Sequence, residues 1–311
     1  IETDAPAPGT IYRAVVDRQV KGQGGVFLRT PDGGAWLRDV KGLAPGDAIT
    51  VQVAGYSEPG KAIPVTGRLL FKSRYAIVTP DAPGLNISRR IRDEAERDRL
   101  LEIAHDTLGE GGVGLILRSS CAGADADEIA QDIADMAAIA AQVTQDSGRT
   151  PEVLLLGDDP WALAWRDWSD PAQVIEGDGA FAETGVDEAI DAARGAHVPL
   201  GGEAGMFVEA TRALVAVDIN TGADGSFAAG LKANIAAARA LPRALRVRGL
   251  GGQITIDLAP MAKKDRRVFE ESLRAAFRAD EVETVLAGWT PLGHYELRRK
   301  RARMPLSEVL K

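Results

Sequence analysis

The chain has 311 residues, 45% of them hydrophobic and 26% charged, a composition that suits a packed protein of more than one domain and excludes a disordered tail. Lys and Arg number 37 against 45 Asp and Glu, a net charge of -8, so a polyanion would have to be met by a local patch and not by the molecule as a whole. No apolar run is long enough for a bilayer, "IETDAPAPG" has no signal-peptide pattern, and the single cysteine, Cys121, allows neither an internal disulfide nor a CxxC zinc pair; the expected setting is cytoplasmic, with no membrane partner.

Residues 11–70 read as short strands, "TIYRAVV", "GVFLRT", "GAWLRDV", "AITVQVAG" and "AIPVTGRL", separated by Gly, Pro and Asp turns. This spacing predicts a small closed barrel of the OB type, in which aromatic side chains stack bases while cations follow phosphates. Phe27 and Trp36 are the candidate rings, with Lys21, Arg29 and Lys61 for charge; the competing expectation puts both rings in the core. "GYSEPGKA" at 55–62 approximates a phosphate-binding loop, but Ala62 stands where a metal-holding hydroxyl belongs, so a barrel hairpin is expected there.

From 71 to 150 the pattern becomes α/β: a strand at "RYAIVT", a charged helix near 92–108, a strand at "GLILRS" and a helix near 125–145. In the second helix Ile129, Ile133, Met136, Ile139 and Val143 make one apolar stripe. "GEGGVG" at 109–114 has the letters of a dinucleotide fingerprint, yet it follows a helix and precedes a strand, the reverse of what such a site needs. Asp159 and Pro160 predict a helix start, and Trp161, Trp165 and Trp168 then share one face, where they are expected to pack in the core. Residues 170–205, rich in Asp, Gly and Ala, read as a connection between domains.

Residues 206–311 form a further α/β pattern: "GMFVEA" and "ALVAVDIN" as paired strands, a helix over 227–247, a glycine break, the strand "QITIDLAP", and a helix over about 263–278. Asp218 interrupts what looks like a covered strand, and a buried carboxylate needs compensation. Asn220, two residues on, shares its face. The helical crossover predicts parallel pairing of the next strand, which brings Asp257 to the same C-terminal edge. Two acids and an amide there suit a hard cation such as Mg²⁺. Basic clusters at 72–74, 88–90, 243–248, 263–267 and 298–303 point to a polyanion surface, and the combination implies metal-assisted phosphodiester chemistry. His105, His197 and His294 lack metal-ligand spacing, and without a GxSxG elbow a serine hydrolase is not expected.

"ALVAVDINTG", "NIAAARALPRALRVRGLGGQITIDLAPM" and "GHYELRRKRARMPLSEVL", in that order, resemble the catalytic region of the bacterial ribonuclease E/G family. Upstream, "TIYRAVV" resembles the entry into the family's ribosomal S1-type barrel, "NISRRI" its SRRI motif, and "GLILRSS" its 5′-end sensor. The resemblance implies an α+β multidomain protein: an OB-fold S1-type barrel over 11–70, an α/β 5′-sensor region over 71–150, a linker with an abbreviated RNase H-like part over 151–205, and a C-terminal α/β DNase I-like catalytic domain over 206–311. It makes Asp218 and Asp257 magnesium ligands, with Asn220 orienting the carboxylate or the scissile phosphate. It places Phe27, Trp36 and Lys61 where the barrel touches RNA, and Arg118 and Ser119 in the pocket for a 5′-monophosphate, serine replacing the more usual threonine. The implied activity is Mg²⁺-dependent cleavage of single-stranded RNA to 5′-phosphate and 3′-hydroxyl ends, favouring 5′-monophosphorylated RNA. A non-catalytic RNA-binding relative and a Mg²⁺-dependent phosphatase or nucleotide hydrolase are the alternatives. With no CPxC motif in the sequence, any homo-oligomer is expected to form without a zinc link.

Overall fold

The alternating strands at the start of the chain are β1 (Ile11–Val20), β2 (Gly25–Thr30), β3 (Gly33–Arg38), β4 (Ala48–Val53) and β5 (Ile63–Thr66). In the structure, a computed structural model that describes residues 5–20, 24–58, 60–109, 113–168 and 173–310, they close into a barrel. β1 pairs antiparallel with both β2 and β4, β2 with β3, and β3 runs parallel to β5, which returns to β4. This is the OB-type circuit expected from the sequence. Tyr12, Val16, Leu28, Leu37, Val51 and Val65 fill it. The 55–62 segment joins the antiparallel β4 and β5 as a hairpin, with Pro59 outside the described residues.

Next come β6 (Phe71–Lys72), β7 (Ala76–Thr79), β8 (Gly84–Ile87), α1 (Glu94–Leu108), β9 (Gly114–Leu117), α2 (Ala126–Thr144), β10 (Glu152–Leu155) and α3 (Pro160–Asp167). β6 to β9 form a four-stranded sheet in the order β6-β7-β9-β8. Each of the three helices starts at an aspartate, Asp93, Asp125 or Asp159, whose side chain accepts from first-turn amides. The predicted stripe of α2 packs as expected: Ile129 and Ile133 are fully buried with Val78, Leu100, Leu115 and Leu117. Cys121 lies in the same core, where burial pushes its thiol up to about 12. Helix, glycines and strand follow in the order read from the sequence, positions 110–112 lying outside the described residues. β10 adds to the barrel sheet against β1, a pairing that four residues are too few to announce by periodicity.

The tryptophans of α3 correct the sequence expectation. Trp161, Trp165 and Trp168 are 64%, 62% and 69% exposed, and it is Ala162, Leu163, Ala164 and Arg166 that face the protein. Helical spacing showed that the rings share a face, but a shared face does not say what covers it.

The chain divides into two units between residues 172 and 173, inside the 151–205 segment. The second holds α4 (Ala180–Glu183), α5 (Val186–Arg194), β11 (His197–Gly201), β12 (Ala204–Ala210), β13 (Val215–Asn220), α6 (Phe227–Val247), β14 (Gly252–Asp257), α7 (Arg266–Ala279), β15 (Thr284–Trp289), β16 (Tyr295–Arg299) and α8 (Leu306–Val309). Its sheet runs β11-β12-β13-β14-β16-β15, and among the described strands of this sheet only β13 and β14 are parallel. Met206, Val217, Ile219, Ile254 and Ile256 on the inner face pack with Leu241, Leu245, Phe269 and Leu273 of α6 and α7. No helix among the described residues is long and apolar enough to cross a membrane.

Two residues one turn apart on α6 fix the chain just beyond β14. Asn234, fully buried, donates to the Ala259 carbonyl at 2.9 Å and accepts from the Ala259 amide at 3.0 Å. Gly230 lets the helix come so close that a Cβ there would lie 1.8 Å from the Pro260 carbonyl oxygen. Asn234→Ala leaves that amide and carbonyl buried without partners, so urea unfolding should show about 2 to 4 kcal/mol less stability. An unchanged midpoint would mean that water or a shifted loop satisfies them.

Candidate active site and anion-binding surfaces

In β13, Val215, Val217 and Ile219 point into the core, while Asp218 and Asn220 point to the open face of the sheet. The buried charge inferred from the sequence is therefore a solvated one: alternation turns Asp218 outward, and the flanking apolar residues hid this because every second one is inward. The parallel register sets Asp218 directly opposite Asp257 on β14, in the strand pairing predicted from the crossover. Neighbouring strands lie about 4.8 Å apart, so the two carboxylates stand side by side.

Asn220 Nδ2 donates to Asp218 Oδ2 at 2.8 Å, fixing that carboxylate from one side. On the far side His294 Nε2 lies 3.6 Å from Asp257 Oδ1. His294 was not foreseen, because the β15–β16 turn that carries it is brought to Asp257 only by the sheet order. The row also extends the other way: Phe207 is opposite Asp218, and His197 is opposite Phe207 with ring centroids 5.1 Å apart. One face thus presents His197, Phe207, Asp218, Asp257 and His294 in line.

Like charges directly across a strand pair repel, and among the described residues neither aspartate forms an ion pair with Lys or Arg. A dication fits such a pair, and two carboxylates with an amide nearby suit Mg²⁺, which keeps several waters and needs few protein ligands. Among the described residues there is no cluster of three or more His, Cys, Asp and Glu that would cage a metal.

On the barrel, Phe27 and Trp36 are register partners on β2 and β3, half-buried, with centroids 4.8 Å apart. Neither belongs to the barrel core. Arg18 lies 4.7 Å over Phe27, and Phe27, Arg18, Arg29 and Lys61 line a hollow of about 450 Å³. Lys61 is exposed and paired with Glu58 at 2.5 Å, and Lys21 lies outside the described residues.

Arg118 leaves the end of β9, and Ser119, half-buried, opens the turn that follows. The Arg118 guanidinium is engaged: it donates to the Ser73 carbonyl at 2.5 Å, to the Arg166 carbonyl at 3.1 Å and to Asp167 at 2.9 Å. Burial raises the Asp167 carboxyl, but Arg166 and Arg118 outweigh it and hold the group below the usual range. Arg118 therefore ties the C-terminal end of α3 to the end of β9 and to the turn between β6 and β7. Two of the predicted basic clusters are also partly structural. Arg299 is 2% exposed and pairs with Asp280 at 2.6 Å, and Arg248 is buried and donates to the Gly195 and Ala244 carbonyls.

The sequence pattern of the ribonuclease E/G family matches residues 71–176 and 167–302. Over 319 residues the chain is 30% identical to a protein named Ribonuclease G from Salmonella typhimurium, which covers 88% of this chain and 64% of that relative. Ribonuclease G of Escherichia coli K12 gives the same identity and coverage, and Ribonuclease E of a Nostoc species is 27% identical over 86% of this chain and 45% of its own length. The chain thus spans less than two thirds of these relatives.

The bonds of Arg118 to Arg166 and Asp167 generate a prediction about α3. Arg118→Ala should raise amide hydrogen exchange across residues 160–167 by roughly ten- to a hundredfold, the loss of one charge-assisted contact. Unaltered exchange would show that other contacts hold the helix.

Proposed function

The chain belongs to the ribonuclease E/G family, and from that premise we propose that it is a cytoplasmic, magnesium-dependent endoribonuclease acting on single-stranded RNA. The observation that carries this reading is the register pairing of Asp218 with Asp257 at the open edge of the sheet. Residues 206–311 then correspond to a DNase I-like catalytic domain, with a shortened RNase H-like part within 151–205.

In this reading Asp218 and Asp257 would hold the cation, and Asn220 orients the Asp218 carboxylate by its hydrogen bond. The chemistry that magnesium would supply there is a lowered pKa for a water and an offset to charge on the scissile phosphate. Hydrolysis forms a bond from water oxygen to phosphorus and breaks the bond from phosphorus to O3′. The leaving oxygen takes a proton, so the ends are a 3′-hydroxyl and a 5′-phosphate. Phe27 and Trp36 stack bases and Lys61 meets phosphates where the strand crosses the barrel. Arg118 and Ser119 receive a 5′-monophosphate, which must displace Asp167 from the guanidinium.

Incubation with single-stranded RNA, with and without Mg²⁺, and identification of both product ends test the activity. Internal cuts with the stated ends distinguish it from a phosphatase, and binding without cuts identifies a non-catalytic relative. Asp257→Asn should abolish cleavage while RNA affinity changes less than about twofold, because the acid serves the reaction more than the grip. Undiminished cleavage by this variant would remove the catalytic assignment. Asp167→Asn weakens the carboxylate's competition for Arg118. In mixed-substrate assays it should increase the preference for 5′-monophosphate over 5′-hydroxyl RNA by about three- to tenfold. An unchanged ratio would show that the terminal phosphate is not read at Arg118.

A further inference from the structure

Three large aromatic rings are costly to leave in water, and Trp161 and Trp165 of α3 and Trp168, the residue that caps its C-terminal end, all stay there. Trp161 and Trp165 are four residues apart, about 6 Å along the axis, and Trp168 follows one turn later. Arg74 lies under one of them: its guanidinium is 4.6 Å from the Trp165 centroid and donates to the Trp165 carbonyl at 2.7 Å. The cation thereby fixes one face of Trp165 while the residue stays 62% exposed. Among the described residues Arg74 makes no ion pair with a carboxylate; its partners are the Trp165 and Trp168 carbonyls and the Tyr75 and Trp165 rings.

The same helix end is bound to Arg118, and more positive charge stands beside Arg118. β8 and β9 are parallel, with Ile87 opposite Leu117, and the Ser88 amide donates to the Leu117 carbonyl at 2.8 Å. The exposed Arg89 and Arg90 therefore leave the sheet next to Arg118. Exposed indole rings at helical spacing with cations at one end match the chemistry of a single-stranded nucleic acid, whose bases stack while its phosphates seek Arg. A protein partner for a tryptophan stripe would gain little from that flank of unpaired arginine charge.

We propose that Trp161, Trp165 and Trp168 form a stacking platform for the 5′-terminal bases of a single-stranded RNA whose end lies at Arg118. The proposal deepens the reading of the chain as an RNA enzyme and rests on it. The platform would make recognition of the 5′ end depend on the terminal bases as well as on the terminal phosphate.

The test uses the full chain, with EDTA present to prevent cleavage, and a fluorescein-labelled twelve-nucleotide RNA bearing a 5′-monophosphate. A second RNA lacks the bases at its first three positions but keeps the backbone. Stacking contacts of this kind are strong enough that removing the three bases should weaken binding to the unmodified protein by at least about tenfold. The variant with all three tryptophans replaced by alanine should bind both RNAs equally and as weakly as the unmodified protein binds the base-depleted one. Replacement of all three by phenylalanine should restore most of the difference. Equal binding of the two RNAs by the unmodified protein, an arm that needs no variant to fold, overturns the platform while leaving RNA binding standing. Absence of binding to either RNA fails the RNA reading itself. If the alanine variant keeps its RNA affinity but changes its mass by light scattering, the face is a contact between copies of the chain and the proposal is overturned.

Discussion

The single parallel pair in an otherwise antiparallel sheet is the constraint on which the candidate active site depends. Had β14 run antiparallel to β13, Asp257 would lie at the end of the sheet away from Asp218. Parallel strands need a long crossover, and α6, 21 residues of it, both makes that crossover and covers the inner face. The same helix holds the chain after β14 through Asn234 and the close approach at Gly230. Packing, topology and carboxylate placement are thus one device: the helix that buries the core side also positions the acids on the open side. Repulsion between the two acids opposes the pairing, and the apolar burial beneath them holds it.

Arginine does two kinds of work in this chain, and the sequence does not distinguish them. Arg13 is buried between Asp146 at 2.6 Å and Glu152 at 2.8 Å, and the hydrogen bond from Arg13 holds the Asp146 carboxyl below its ordinary range. Arg248 and Arg299 are inside the second unit, the first held by carbonyls and the second by an ion pair with Asp280. A guanidinium can serve this way because its five donors reach several acceptors in one plane. The arginines left for a polyanion are fewer than a count of basic residues suggests, and some of them are grouped: Arg18 and Arg29 at the barrel hollow, Arg89 and Arg90 beside Arg118, and Arg239 and Arg243 along the outer face of α6.

Much of the architecture was legible because it is written in local patterns. The barrel strands alternate between turns, α2 carries an apolar stripe, and the α6 crossover implied a parallel pair. What escaped was set by distant partners. β10 and β16 are short strands whose identity comes from the neighbours they pair with. His294 reaches Asp257 through sheet order, and Asn234 reads as an ordinary polar residue of a helix until Ala259 is seen against it. The outward tryptophans and the outward Asp218 failed for a common reason. Periodicity tells which residues lie together, and only the packing of other elements tells which side is covered. The basic stretch at 298–303 is the same lesson in a strand: Arg298 points out and Arg299 points in.

The contact between Arg118 and Asp167 bears on how a 5′ end would be told from the rest of a strand. Asp167 brings one negative charge and is held next to Arg118 by α3, so it competes at a high effective concentration. An internal phosphodiester also brings one charge, and it must diffuse to the site. It has no electrostatic advantage with which to displace the carboxylate. A terminal monophosphate carries nearly two charges at neutral pH and offers more oxygens to the guanidinium fork. If Arg118 receives the 5′ end as proposed, the tethered carboxylate is a competitor that any phosphate must displace, and the terminal monophosphate, being more highly charged, is the group that gains most when that competitor is removed. On that reading lower pH would weaken the hold on the terminal phosphate. The terminal phosphate loses its second charge near pH 6, whereas Asp167, held below the ordinary carboxylate range, stays ionised and keeps competing.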